Sequence, residues 1–357
     1  MKIVVVRNDR LGDFMLAWPT FALLKQYWPT ATIVALVPPY TSEIASLCPW
    51  IDEVMIDQGE GAIALARKLH ASGCNALLTL YSTRRVAQAG WLARIPYRLA
   101  PATKLAQFFY NRRLIQRRSS SAKPEYAYNL DLVWQFLLDH GVITAAHSSE
   151  EHSGDWLSPD ISRPLMCFND NVAELKQQFC ATYQLDRTLP LLFIHPGSGG
   201  SATNLRATQY AQLANCIAHS TNVNFVITAG PGEHPIAAEV AGKIAAPVIV
   251  YDSSNGLAEF ARILQLADLF ISGSTGPLHI AGALDVPTAA FYPRHRSATP
   301  LRWQTLNSPQ RRVAFIPPHD AVKYDVSSID LDNAAQTILS RYLHHLSNTS
   351  SQVSQQL

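Results

Sequence analysis

The chain has 357 residues, of which 48% are hydrophobic and 16% charged, with a formal net charge of +2. That length predicts two domains with room for large buried cores, and no apolar run approaches the roughly 18 residues that a membrane-spanning helix needs. Five cysteines (Cys48, Cys74, Cys167, Cys180 and Cys216), odd in number and without C-x-x-C spacing, argue against a disulfide framework and a structural zinc.

The N-terminal MKIVVVRNDRLGD is too short in its apolar part for a signal peptide and has an Asp pair where a cleavage site would stand. It is expected to be the first strand of a cytoplasmic protein. Charge is unevenly spread: residues 1–150 carry 16 Lys/Arg against 11 Asp/Glu, and the remainder 13 against 16. Much of the excess lies between Lys104 and Lys123, which holds Arg112, Arg113, Arg117 and Arg118 and no acid. Such a patch fits a phosphorylated acceptor or an anionic membrane surface, the alternative being a solvated loop. Nucleic acid is not expected, because the domain is not strongly basic and no binding motif occurs.

In chain order, Lys2–Arg7 reads as a buried strand followed by the polar turn Asn8–Asp13 and a helix from Phe14 to about Trp28. Pro19 inside that helix predicts a kink or a late start. Strands are expected at Ala31–Val37, Glu53–Ile56 and Asn75–Leu80, with an amphipathic helix at Gly61–Ala71. After the basic segment, Glu125–His140 reads as a helix closed by Gly141, and the polar stretch Thr144–Arg163 as a linker. A second alternating series follows, with strands at Leu191–Ile194, Asn224–Thr228, Val248–Tyr251 and Leu269–Ile271. Its helices are Val172–Tyr183, Thr208–His219, His234–Ile244, Leu257–Ala267 and Pro277–Leu284, the last leading into another apolar strand. A final helix starts near Asp330, and the tail NTSSQVSQQL is expected to be disordered. Alternation at this spacing predicts βαβ units, parallel sheets and an α/β fold in two similar halves facing across a cleft.

Four loops fall at the carboxyl ends of expected strands, where ligands bind in open α/β sheets. The first holds Asp9 and Asp13; Asp13 is the candidate general base, the alternative being a first-turn acid that complements the helix dipole. The second, HPGSGGS (195–201), lets backbone approach a ligand closely, yet it is neither a Walker A loop nor a G-x-G-x-x-G frame. The third carries Glu233, either a partner for ribose hydroxyls or a solvent-facing helix cap. The fourth, Ser272–Gly276 before Pro277, sets small residues at a helix N-terminus, as an anion site does; a plain βα turn with capping hydroxyls is the alternative. His195 and His279 lack the companions of a metal site, so His195 is expected to satisfy a local backbone hydrogen bond and His279 to lie on the helix after the fourth loop.

The segments RNDRLGD with its proline-containing helix (7–20), HPGSGGS, AGPGE (229–233) and STGPLHIAGALDVPTAAFYP (274–293), together with Arg302-Trp303, are similar to those of glycosyltransferase family nine, the lipopolysaccharide heptosyltransferases. The resemblance implies a GT-B architecture: an acceptor-binding Rossmann-like domain (1–163), a nucleotide-sugar-binding one (164–328), a helix (329–347) returning to the first, and a tail (348–357). It implies inverting, metal-independent transfer without a cofactor, from an ADP-heptose-like donor to a lipid-linked saccharide at the inner membrane face. Asp13 would deprotonate the acceptor. Ser198, Gly199, Thr203, Arg206, Glu233, Ser274, Thr275, Gly276, Pro277 and His279 would hold the donor, and Arg10, Arg112 and Arg113 the acceptor. Thr203 stands where the family often has a Lys, with Arg206, Arg294 and Arg296 as substitute cations, and Ser274 where better-studied members carry Asp. The alternatives are a GT-B nucleotide-sugar epimerase and a non-catalytic nucleotide-sugar binder.

Overall fold

The computed structural model describes residues 1–103, 105–144, 157, 161–200 and 203–343. The chain divides into two compact units, Met1–Leu165 and Met166–Leu357. The first runs β1 (Lys2–Val6), α1 (Leu11–Met15), α2 (Trp18–Tyr27), β2 (Thr32–Val37), α3 (Ser42–Ser46), β3 (Glu53–Ile56), α4 (Ala62–Ala71), β4 (Ala76–Thr79), α5 (Arg84–Leu92), β5 (Tyr97–Pro101), β6 (Arg112–Leu114) and α6 (Glu125–Asp139). The second runs α7 (Val172–Tyr183), β7 (Leu191–His195), α8 (Ala207–Ser220), β8 (Asn224–Ala229), α9 (His234–Ala241), β9 (Val248–Asp252), α10 (Leu257–Leu264), β10 (Leu269–Gly273), α11 (Gly276–Ala283), β11 (Thr288–Phe291), β12 (Arg312–Phe315) and α12 (Leu331–Ile338).

Each unit is built on one six-stranded sheet, ordered β3-β2-β1-β4-β5-β6 in the first and β12-β11-β10-β7-β8-β9 in the second. All pairings are parallel. Counted from each unit's own first strand the two orders are the same Rossmann winding. Strands covered by helices on both faces carry continuous apolar runs, as VVV in β1 and LLFI in β7 do. Alternate residues serve opposite faces: Val4 and Val6 join Leu65 and Leu69 of α4 and Val86 of α5 in one buried cluster. In the second unit Leu192, Ile194, Phe225 and Ile271 pack with Tyr210 and Leu213 of α8 and Val240 of α9.

Several expectations are corrected by these elements. The helix expected from Phe14 to Trp28 is two, with the late start that Pro19 predicts: α1 ends at Met15, and α2 starts at Trp18 with Pro19 in its first turn, where the missing N–H costs nothing. The basic segment contains the edge strand β6, and α5, β5 and β12 were not among the expected elements. The final helix is capped by the Asp330 side chain on Asn333 N at 2.9 Å. Its Leu331, Ala334, Ala335, Ile338 and Leu339 are buried in the second unit's core beside α8. Most of the linker expected at 144–163, the last residues of the 329–347 helix and the tail at 348–357 lie outside the described residues.

Because Ile338 is fully buried, Ile338→Ala is expected to cost about 2–5 kcal/mol. Hydrogen exchange should show lost protection in β7, β8 and α8 with the strands of the first unit unchanged.

Candidate active site

Where the strand order of a doubly wound sheet reverses, adjacent connections leave on opposite faces and a crevice opens at the carboxyl edge. In the first unit this point lies between β1 and β4, in the second between β7 and β10.

The loop after β1 is organised by one buried guanidinium. Arg7, 2% exposed, donates from Nε to Asp9 at 2.8 Å, from Nη1 to Glu125 at 3.0 Å and Asn129 at 3.3 Å, and from Nη2 to Asp13. Glu125 opens α6, so the helix carries its carboxylate to the end of β1; Arg118 Nη1 meets the same Glu125 oxygen at 2.6 Å. Three carboxylates thus share two guanidinium groups. The loop is also held from its flanks: the Tyr40 hydroxyl donates to the Asp9 carbonyl at 2.5 Å, and Asn8 bonds Asp57, which accepts from Arg85. Asp13 is pushed up to about 6, chiefly by burial; Arg7 opposes the shift, and Asp9 and Glu125 add to it. Asp9 is raised for the same leading reason.

In the second unit the loops after β7, β8 and β10 meet. The register sets Ser272 beside His195. The Asn204 side chain closes the loop after β7 on itself and on α8: Nδ2 donates to the carbonyls of Pro196 at 2.8 Å and Gly197 at 3.1 Å, while Oδ1 accepts from Leu205 N and the Tyr210 hydroxyl. A Cβ on Gly273 would come within 2.6 Å of Asn204 Oδ1, so glycine is what admits that side chain. Glu233 ties the loop after β8 to the loop after β7. Its carboxylate accepts from Gly199 N at 3.0 Å and Gly230 N at 3.1 Å and lies 3.5 Å from His195 Nε2. It fills the space a Cβ on Gly197 would take, at 2.1 Å. Burial holds the pKa of His195 down against the pull of Glu233, so the ring stays neutral at pH 7 and hydrogen-bonds the Thr228 hydroxyl at 3.0 Å. At the amino end of α11 the Thr275 hydroxyl lies 3.5 Å from that of Ser272 and caps nothing.

The expected donor residues therefore gather at one edge of the second unit: Ser198 and Gly199 after β7, Thr203 and Arg206 before α8, Glu233 before α9, and Ser274 to Pro277 at the start of α11. Arg206 is exposed. Glu233 is not the solvent-facing cap that was weighed for it, because two glycine N–H groups draw its carboxylate inward. His195 bonds both the side-chain hydroxyl and the backbone of Thr228. His279, 2% exposed, lies inside the layer below the loop, its pKa lowered to about 4 by burial. In the first unit Arg10 is exposed at the N-cap of α1. Arg112 and Arg113 do not join Asp13: they lie on β6, three strands from β1 and so about 14 Å along the sheet, and Arg112 meets Asp139 at 3.3 Å. The residues sequence reasoning missed are Arg7, Glu125 and Arg118. An arginine closing an otherwise apolar strand was the available signal for the first.

Against known proteins, a model of glycosyltransferase family 9 (heptosyltransferase) matches residues 166–321. A Haemophilus influenzae protein described as "Putative glycosyltransferase" is 40% identical over 359 residues, spanning 99% of each chain. The structure of a glycosyl transferase family 9 protein from Veillonella parvula has a TM-score of 0.77 at 18% identity, covering 96% of this chain and 97% of that one. That of E. coli ADP-heptose lipopolysaccharide heptosyltransferase II has a TM-score of 0.73 at 16% identity, covering 97% and 99%. The fold is GT-B, of two Rossmann-like units.

Two predictions follow from the loop geometry. Folded Asp13 binds its proton more tightly than an unfolded aspartate, so its ionisation removes stability as pH rises from about 4 to about 6. Asp13→Asn should accordingly be more stable than the parent at pH 7.5, by the order of 2 kcal/mol, and no more stable at pH 3.5, as denaturant midpoints at the two pH values would show. Gly197→Ala should cost about 1–3 kcal/mol by forcing Glu233 out of its place, whereas Ala at Gly230, where Glu233 approaches no nearer than 3.0 Å, should cost less.

Proposed function

The chain belongs to glycosyltransferase family 9, and from that premise we propose that it transfers a heptose or a related sugar from a nucleoside-diphosphate donor to a lipid-linked saccharide of the lipopolysaccharide-core kind. The observation that carries the reading is Asp13: a carboxylate at the switch point of the first unit, raised to about 6. Ionised at neutral pH yet more basic than an ordinary aspartate, it suits a general base for a sugar hydroxyl. The acceptor proton passes to Asp13, the acceptor oxygen bonds the anomeric carbon, and the bond from that carbon to the diphosphate oxygen breaks with inversion.

The second unit supplies the donor half. Backbone N–H groups of the loop after β7 and the amino end of α11, with the hydroxyls of Ser198, Ser274 and Thr275, suit a diphosphate, and Arg206 is the cation on the same edge. Glu233 retains lone pairs beyond those used by Gly199 and Gly230, enough to accept from ribose hydroxyls. In this reading the developing charge is met by these groups and the transfer is metal-independent. The heptose and the adenine nucleotide rest on the name of the E. coli relative in fold, and Arg10, Arg112 and Arg113 remain the proposed acceptor contacts, the last two for its outer part.

Asp13→Ala is expected to lower transfer from ADP-heptose by at least about 100-fold while calorimetric donor affinity stays nearly unchanged. The parent should gain activity as pH rises through about 6. Full turnover in the variant would remove Asp13 from its assigned role.

A further inference from the structure

From Gly61 to Pro124 the chain carries twelve Lys and Arg residues and no Asp or Glu, while the other 17 cations sit among all 27 acids. Some of the twelve are spent within the unit, as Lys68 is on Glu60, Arg85 on Asp57 and Lys123 on Asp131. Arg94, Arg113 and Arg117 are exposed. The same stretch holds Leu105 and Ile115, the two most exposed large apolar side chains among the described residues at 81% and 83%, and Phe108 at 70%.

These side chains are neighbours by construction. Leu105–Phe109 is a single 3-10 turn between β5 and β6, packed on α5 through the Trp91 and Phe109 rings at 6.0 Å, with Trp91 itself half exposed. Pro101 pairs with Leu114, and Ala102 N donates to Leu114 O at 2.7 Å. Ile115 therefore leaves the sheet at the edge from which the Leu105 turn springs. Three residues later Arg118 reaches Glu125 and the Asp13 cluster, so the apolar tips share the carboxyl edge with the candidate base.

We propose that this edge of the first unit docks on an anionic lipid bilayer. Leu105, Phe108 and Ile115 enter the acyl boundary and Arg113 and Arg117 meet headgroup phosphates. Exposed apolar tips beside exposed cations match an interface that is apolar below and anionic above. No helix among the described residues is long and apolar enough to cross a membrane, so the contact is interfacial. The inference rests on the acceptor half of the proposed function and is read without turnover. A chain that binds vesicles but transfers no sugar leaves it standing, and one that transfers sugar but ignores vesicles refutes it alone.

The test is co-sedimentation of the full chain with phosphatidylglycerol–phosphatidylcholine vesicles and with phosphatidylcholine alone. Binding is expected for the mixed vesicles only. Leu105→Ser/Phe108→Ser/Ile115→Ser should lower the partition constant by about tenfold or more, and Arg113→Glu/Arg117→Glu should lower it and flatten its salt dependence. Phe108→Trp provides a direct reading: relative to the parent chain, its added fluorescence should shift to the blue on the mixed vesicles. No binding by the parent, unchanged binding by the serine variant, or no shift at Trp-substituted position 108 overturns the proposal. So does binding to heparin that survives the serine substitutions and displaces the vesicles, which would mark a general polyanion site.

Discussion

A parallel sheet covered by helices on both faces has no room for polar chemistry in its interior, and this constraint arranges the rest of the molecule. Every strand of β1, β2 and β4, and of β7, β8 and β10, is apolar or neutral along most of its length. Side chains that carry charge are pushed to the ends of the strands, and only one end of each sheet has a gap between outgoing connections. Both units wind in the same order, so both have that gap at their own first strand, and both put their most unusual polar groups into it. The likeness between Arg7–Asp13 and His195–Gly199 is therefore one of position; their chemistry differs, carboxylates in one and backbone N–H groups in the other.

Within the first gap, electrostatics is balanced on Arg7. Burying a guanidinium is costly unless its donors are paired, and burying carboxylates beside it is costly unless each finds a cation. Three acids around Arg7 and Arg118 leave the cluster one negative charge in excess, which adds to the burial that chiefly keeps Asp13 ready to take a proton. The arrangement sacrifices stability at neutral pH for basicity, a common exchange at reactive centres. Asp57, Asn8 and Tyr40 fix the loop from both neighbouring connections and so hold the excess charge in place.

Much of this was legible from residue order. KIVVVR, LLFI, FVIT and LFISG are uninterrupted apolar runs ending in small or polar residues, and that pattern is what a buried parallel strand and its loop require. Asp13 and the three glycine-bearing loops stood out for the same reason. What could not be read depended on long-range partners. β6 is RRL, an edge strand exposed on both sides of its pleat, with no alternation to betray it. Glu125 acts on Arg7, more than a hundred positions away, by way of α6, and Arg118 joins the cluster through that carboxylate. The final helix has an apolar face whose partner, α8, lies more than a hundred positions upstream and cannot be read locally. Glu233 read as an acid at a helix start; nothing local says that two glycine N–H groups would turn it inward.

Glu233 has a consequence for what the second gap offers an arriving molecule. The flexible Pro196–Gly200 backbone is already braced against a carboxylate of the chain itself, so an internal anion serves as a placeholder for an external one. A nucleotide bound there, as the proposed function has it, would meet a loop already held in place, and less of its binding free energy would go into ordering the chain. The placeholder also sets a boundary. Phosphate oxygens are repelled from its side and directed towards the amino end of α11, while neutral hydroxyls are drawn to it. Under the proposed function, one carboxylate would thereby give this gap a sense of direction, with a sugar end and a phosphate end.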